Sequence, residues 1–162
     1  EFRILHHADD TGFEIQRGLI EAVRRHPNIT LLENHFAVEI ITQHHLGVEV
    51  TPRTPDIECF GAYVLDPDTH KIDTVLSRVT VLATGGCGAV YATTTNPNIA
   101  TGDGIAMAYR AKATVQDMEF IQFHPTALFH PGETHPAYRS TEDMRGYGRI
   151  LRLPNGEEFM QK

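Results

Sequence analysis

The run Val79-Thr80-Val81-Leu82-Ala83, followed at once by Thr84-Gly85-Gly86-Cys87-Gly88, constrains this chain more than any other feature. Its apolar residues are near-continuous rather than alternating, the pattern of a strand covered on both faces in a parallel sheet. Glycine after such a strand permits positive φ and lets a ligand approach the backbone closely. In open α/β sheets, ligands bind at the carboxyl ends of strands. Gly102-Asp103-Gly104 then opens a helical stretch, Ile105 to Ala113, in which Ala106, Ala108, Ala111 and Ala113 are small enough to pack closely against a sheet or a ligand. Helix N-termini favour negative or hydrogen-bond-accepting ligands.

Upstream, Ile15, Leu19, Ala22 and Val23 recur at helical spacing, which predicts an amphipathic helix capped by Asp10 or Thr11 and ending near His26-Pro27. Ile29–Glu33 and Ala37–Ile41 are rich in β-branched and apolar residues and predict two strands broken around Asn34. His44 to Ile57 carries Gly47, Pro52 and Pro55 without periodicity, so an exposed loop whose loss is tolerated is expected there. Phe60–Leu65 and Lys71–Leu76, joined by Asp66-Pro67-Asp68, predict an antiparallel pair leading into Val79. The fold class is therefore α/β, or an α+β fragment of it, with a β-meander beside the glycine turn.

With 162 residues and 41% hydrophobic content the chain suits one domain or pieces of two. Composition shifts after Gln116 toward His, Pro, Gly and charge, so a second unit is expected from Asp117, dividing the chain into 1–116 and 117–162. A net charge of -7, with no clustered Lys or Arg, argues against nucleic acid as a partner. No apolar run approaches the roughly 20 residues needed to cross a bilayer, and Glu1-Phe2-Arg3 does not open a signal peptide, so a soluble, cytoplasmic protein is expected. Cys59 and Cys87 are not spaced for zinc or thiol exchange. The doublets His6-His7 and His44-His45 lack a carboxylate or cysteine at ligand spacing, so no metal is expected.

The segment Phe120-Ile121-Gln122-Phe123-His124-Pro125-Thr126-Ala127-Leu128 sets two hydrogen-bonding side chains at alternate positions of an apolar run. In extended chain Gln122 and His124 point the same way. Leaving either buried without a partner costs on the order of 2 kcal/mol, so the fold or a polar ligand such as a small anion must satisfy them. A free-standing dinucleotide-binding domain begins with a Gly-x-Gly-x-x-Gly turn. Gly85-Gly86-Cys87-Gly88 lacks that spacing, and the chain stops at Lys162 soon after Pro154-Asn155-Gly156, so an internal fragment of a longer enzyme is expected.

Leu82-Ala83-Thr84-Gly85-Gly86, Thr95-Asn96-Pro97, Thr101 to Met107 and Phe120 to Leu128, in this order, resemble the flavoprotein family of L-aspartate oxidase and the succinate dehydrogenase and fumarate reductase flavoprotein subunits. Arg3 to Gly12 and His26-Pro27-Asn28-Ile29 look more like the aspartate oxidase branch. The resemblance implies part of an FAD-binding Rossmann-like domain followed by the start of a capping domain. It implies that Phe36 and Ala37 meet the adenine end of FAD, that Thr84, Gly85 and Gly86 border the cofactor, and that Asp103 contacts the flavin. Gln122, His124, Thr141 and Glu142 match substrate-contacting positions. The alternatives are simple turn and strand chemistry for the cofactor positions, a satisfied core residue for His124, and a helix cap with an acidic first turn for Thr141 and Glu142. Where relatives continue Arg-Gly-Glu-Gly, this chain has Arg145-Gly146-Tyr147-Gly148, which changes the local loop.

The activity implied is hydride transfer from L-aspartate to FAD, giving iminoaspartate, with oxygen or fumarate as electron acceptor and quinolinate synthase as the next enzyme in NAD biosynthesis. No residue within the fragment is expected to be catalytic. The alternatives are a succinate dehydrogenase or fumarate reductase flavoprotein subunit and a non-catalytic binding module.

Overall fold

The computed structural model describes residues 5–7, 10–124, 127, 137, 148 and 150–158. Helix α1 (Thr11–Arg25) forms where the apolar periodicity predicts it. It ends because His26 precedes Pro27, whose ring forces the preceding residue out of the helical region, and His26 is extended at φ -81° and ψ 122°. The predicted side-chain cap is not made: Asp10 stands at the N-cap without a side-chain bond, and the Thr11 hydroxyl instead accepts from the His7 amide at 3.0 Å. Arg17 pairs with Glu14 and Glu21, one helical turn away on either side; Arg17 is exposed and the two carboxylates are partly so. Each such pair contributes about 0.3–0.5 kcal/mol.

Two predicted strands are corrected. Residues 29–32 are irregular and end in a turn at Glu33-Asn34, with Asn34 in the left-handed region at φ 61°. Their β-branched composition is not enough without a neighbouring strand to pair with. Val79–Ala83 likewise joins no strand, and Val79 and Val81 are 77% and 80% exposed. A parallel strand receives its partners from distant parts of a chain, and among the described residues none lies beside it. The whole chain exposes 14153 Å², where a folded monomer of 18.1 kDa exposes only about 8,100 Å².

The ordered centre is the expected meander. Strands β1 (Phe36–Thr42), β2 (Cys59–Asp66) and β3 (Lys71–Leu76) form an antiparallel sheet in the order β1-β2-β3. Its turn is held by Asp66, whose carboxylate accepts from the Thr69 hydroxyl at 2.8 Å and the Asp68 amide at 2.9 Å. Those bonds, Thr69 foremost, hold the Asp66 carboxyl below its ordinary pKa. Two register shifts interrupt the β1–β2 pairing: Ala37 faces Val64 while Glu39 faces Tyr63, leaving Val38 as the extra residue on β1, and Ile41 faces Gly61 while Thr42 faces Cys59, leaving Phe60 as the extra residue on β2. Gly61, at φ 138°, has no room for a side chain, since a Cβ would run into the Val75 carbonyl across the β2–β3 pair.

The segment expected as a dispensable loop is built into the sheet. Gln43–Leu46 forms a 3₁₀ turn closed by a capping box between Thr42 and His45, and Gly47 ends it at φ 86°. The Gln43 amide donates to the Asp56 carbonyl at 2.8 Å and accepts from the Glu58 amide at 3.0 Å, and Val50 is buried. Deleting this segment would remove part of the core.

Helix α2 (Asp103–Arg110) crosses β1 and is shorter than the Ile105–Ala113 stretch predicted. It closes with a Schellman motif: the Lys112 amide bonds the Tyr109 carbonyl and the Ala113 amide bonds the Ala108 carbonyl, both at 3.0 Å. Lys112 occupies the position usually given to glycine, at φ 63°, a strain of about 1–2 kcal/mol. Met107 of α2 packs into the small core with Ile40, Ile41, Val50 and Ala100. The Arg110 guanidinium reaches β1, bonding Glu39 at 2.5 Å and the carbonyl of the bulged Val38 at 3.2 Å.

Gly61→Ala is expected to cost about 2–4 kcal/mol, because both strain and a backbone collision must be relieved. Gly47→Ala, left-handed at φ 86° but unobstructed, should cost about 1 kcal/mol. Denaturant titration separates the two; equal losses would mean that the approach of β3 does not depend on Gly61.

Candidate functional site

Three segments meet at the N-terminus of α2. The extended residues 79–83 enter the turn Thr84-Gly85-Gly86 and then a 3₁₀ turn, Gly88–Val90, whose Ala89 amide donates to the Ala100 carbonyl at 2.9 Å. That bond sets the glycine turn against residues 100–104. Gly104 is buried, and a Cβ there would collide with the Thr84 hydroxyl; on Gly102 it would come within 2.9 Å of Cys87 Cβ. The packing itself therefore requires these two glycines.

Gly85 and Gly86 differ. A Cβ on either meets nothing within 4 Å. Gly85 still needs its positive φ of 73°, but Gly86 has neither a positive φ nor a neighbour that would exclude a methyl group. Within the turn, Gly86 is the position at which the fold makes no demand for glycine, and it faces open space. Such an approachable backbone, beside a helix N-terminus, fits an extended ligand carrying acceptors. Asp103, the first residue of α2, is half-buried and accepts from the Thr101 hydroxyl at 2.9 Å. Its charge also suits the positive end of the helix dipole.

Phe36 and Ala37 lie apart from this turn. They open β1, next to the Val38 carbonyl that Arg110 binds at the opposite end of α2. Eight helical residues at 1.5 Å each put about 12 Å between those ends. The predicted cofactor residues are thus divided between the two ends of one helix, a spacing that suits an elongated group and no compact one.

Gln122 and His124 do share one cleft, of about 130 Å³. Ile121 and Phe123 line it as well, so the segment does not separate its faces as a strand would, and it has no strand pairing. Gln122 is exposed and His124 half-buried, which removes the expected burial penalty: much of the apolar run is open, with Phe120 at 73% and Phe123 at 69% exposure. Thr141 and Glu142 lie outside the described residues.

The opposite wall was not anticipated. Thr93, Thr94, Thr95 and Asn96 line it, with the Asn96 amide donating to the Thr94 hydroxyl at 3.1 Å. Four consecutive hydrogen-bonding side chains were the available signal. Gly88 lies so close beneath them that a Cβ would sit 2.5 Å from the Asn96 side-chain Nδ2 and 2.9 Å from the Thr94 hydroxyl. Tyr91 and Phe123 meet edge to face at 5.5 Å and join the two walls. Among the described residues no lining side chain is a carboxylate, so there an anion meets hydroxyl, amide and imidazole groups. The volume falls below the ~300–1,000 Å³ of sites for drug-sized ligands, which suits a small metabolite better than a nucleotide. Among the described residues no three His, Cys, Asp or Glu converge as a metal site, and Cys59 and Cys87 are free thiols.

The chain is similar to L-aspartate oxidase 1 of Ralstonia nicotianae, 51% identical over 158 residues, covering 98% of this chain and 28% of that protein. It is also similar to the chloroplastic L-aspartate oxidase 2-a of Nicotiana tabacum, 45% identical over 164 residues, covering 98% of this chain and 24% of that one. Among solved structures, a quinol–fumarate reductase with menaquinol molecules matches with a TM-score of 0.78 and 32% identity, over 96% of this chain and 24% of its own. The chain thus spans about a quarter of the length of the relatives it matches. Residues 2–162 match the model of the FAD binding domain family, and with the flavoprotein fold and the open glycine turn already in view, the chain belongs to that family.

Proposed function

We propose that this chain is a central portion of an FAD-dependent L-aspartate oxidase that converts L-aspartate to iminoaspartate. The observation that carries this reading is the 51% identity to a protein named L-aspartate oxidase, against 32% to the fumarate reductase structure. Residues 1–116 supply part of the FAD-binding domain and residues 117–162 begin a capping domain. Phe36 and Ala37 lie toward the adenine end of the cofactor; Thr84, Gly85, Gly86 and Asp103 lie along it toward the flavin. The open space at Gly85 and Gly86 and the 12 Å spread across α2 support that placement.

The chemistry that FAD supplies when bound is acceptance of hydride from the α-carbon. The chain's own task is orientation. Gln122 and His124 donate hydrogen bonds to a substrate carboxylate from one wall of the cleft, while the threonine-rich wall excludes water and limits size. Thr141 and Glu142 complete the carboxylate contacts in this reading. Oxygen or fumarate accepts the electrons, and quinolinate synthase takes the product toward NAD. The whole acts in the cytoplasm; no helix among the described residues is long and apolar enough to cross a membrane.

The fumarate reductase match, with a TM-score of 0.78, favours a second reading, a succinate- or fumarate-converting flavoprotein subunit. Anaerobic mixing of the full-length flavoprotein with L-aspartate or with succinate decides between them. Bleaching of the flavin absorbance by aspartate alone is the expected result; bleaching by succinate alone would transfer the assignment to the second reading.

Gly86→Ala supplies a separate test of the cofactor placement. Since the substitution meets no atom in the fold, stability should change by no more than about 0.5 kcal/mol, while FAD affinity falls about tenfold or more. Unchanged affinity, measured by flavin fluorescence, would mean that the turn is only a turn.

A further inference from the structure

A second cavity, of about 410 Å³, lies at the C-terminal end of α2, away from the glycine turn. Ile40 and Val50, both buried, give it an apolar floor, and Arg110, Lys112, His44 and His45 open onto it. Among the described residues its only carboxylate is Glu39, already paired with Arg110. In a chain of net charge -7 this is a local excess of positive charge.

The donors there are fixed and partly unused. Arg110 spends Nε on Glu39 and Nη2 on the Val38 carbonyl, which anchors the guanidinium and leaves Nη1 available. His45 accepts the Thr42 amide at Nδ1, so its proton resides on Nε2, where the ring is a donor. The Lys112 side chain has no hydrogen bond or ion pair among the described residues. Its backbone sits at φ 63°, in the Schellman position where glycine is unstrained. The helix dipole favours cations at this end, but it favours them equally at unstrained positions. A strained lysine with no partner among the described residues, lining a cavity beside an anchored arginine, is a charge retained for something that binds there.

We propose that this cavity binds a small organic phosphate monoester. Nη1 of Arg110, Nζ of Lys112 and Nε2–H of His45 supply three donors for the terminal oxygens, and Ile40 and Val50 receive an apolar or aromatic body. The volume is larger than a bare phosphate needs and falls within the ~300–1,000 Å³ of small-molecule sites. Among the described residues the site shares none with the cleft of Gln122 and His124.

Phenyl phosphate is a suitable probe, since it resembles neither L-aspartate nor FAD, with phenol as its neutral counterpart. Calorimetric titration of the full-length, FAD-loaded protein should give saturable binding of phenyl phosphate and none of phenol. Lys112→Gly should weaken it about fivefold or more while the thermal midpoint holds or rises, because glycine relieves the backbone strain. No saturable binding up to about 10 mM, equal affinity in Lys112→Gly, or equal binding of phenol would each overturn the proposal.

Discussion

Gly104 and Arg110 sit at opposite ends of the same short helix, and between them they tie the glycine turn to the meander. At one end the absence of a side chain lets Thr84 close against α2; at the other a guanidinium satisfies the carbonyl that the bulge at Val38 leaves without a ladder partner. Met107, 2% exposed, seals the contact between them. The residues proposed to meet the cofactor at each end of α2 take their separation from this arrangement, and the cavity beside Lys112 is a consequence of where the helix stops.

Outside that tie the chain holds its shape with little burial. α1 buries none of its residues, the Val79–Ala83 segment presents Val79 and Val81 to solvent, and Phe120 and Phe123 are open. Near-continuous apolar chain of this kind is stabilised only by neighbours on both faces. The curated relatives carry most of their length outside the match, so the comparison and the exposed area agree on where neighbours are to be sought.

What was legible in the sequence was local. Periodicity with a following Pro27 gave α1, alternation around Asp66-Pro67-Asp68 gave the β2–β3 hairpin, and Gly102 marked the start of α2 in its left-handed conformation. The failures were of partnership. Ile29–Glu33 and Val79–Ala83 have strand composition but no partner among the described residues, and composition cannot supply one. The loop assigned to His44–Ile57 hid a capping box in which His45 takes the role usually played by Glu or Gln. The family resemblance proposed Gln122 and His124, which the fold brings to one cleft, but the wall from Thr93 to Asn96 needed the fold, because it comes from a segment some thirty residues upstream.

The central claim is that one end of α2 presents the cofactor turn while the adjoining cleft takes the dicarboxylate. A crystal structure of the full-length protein with FAD and succinate as an unreactive analogue tests it most directly. The account predicts FAD running along Thr84 to Gly86 with its adenine toward Phe36 and Ala37, and a succinate carboxylate within hydrogen-bond distance of Gln122 and His124. Cofactor density away from the turn, or succinate bound outside the cleft, would contradict it.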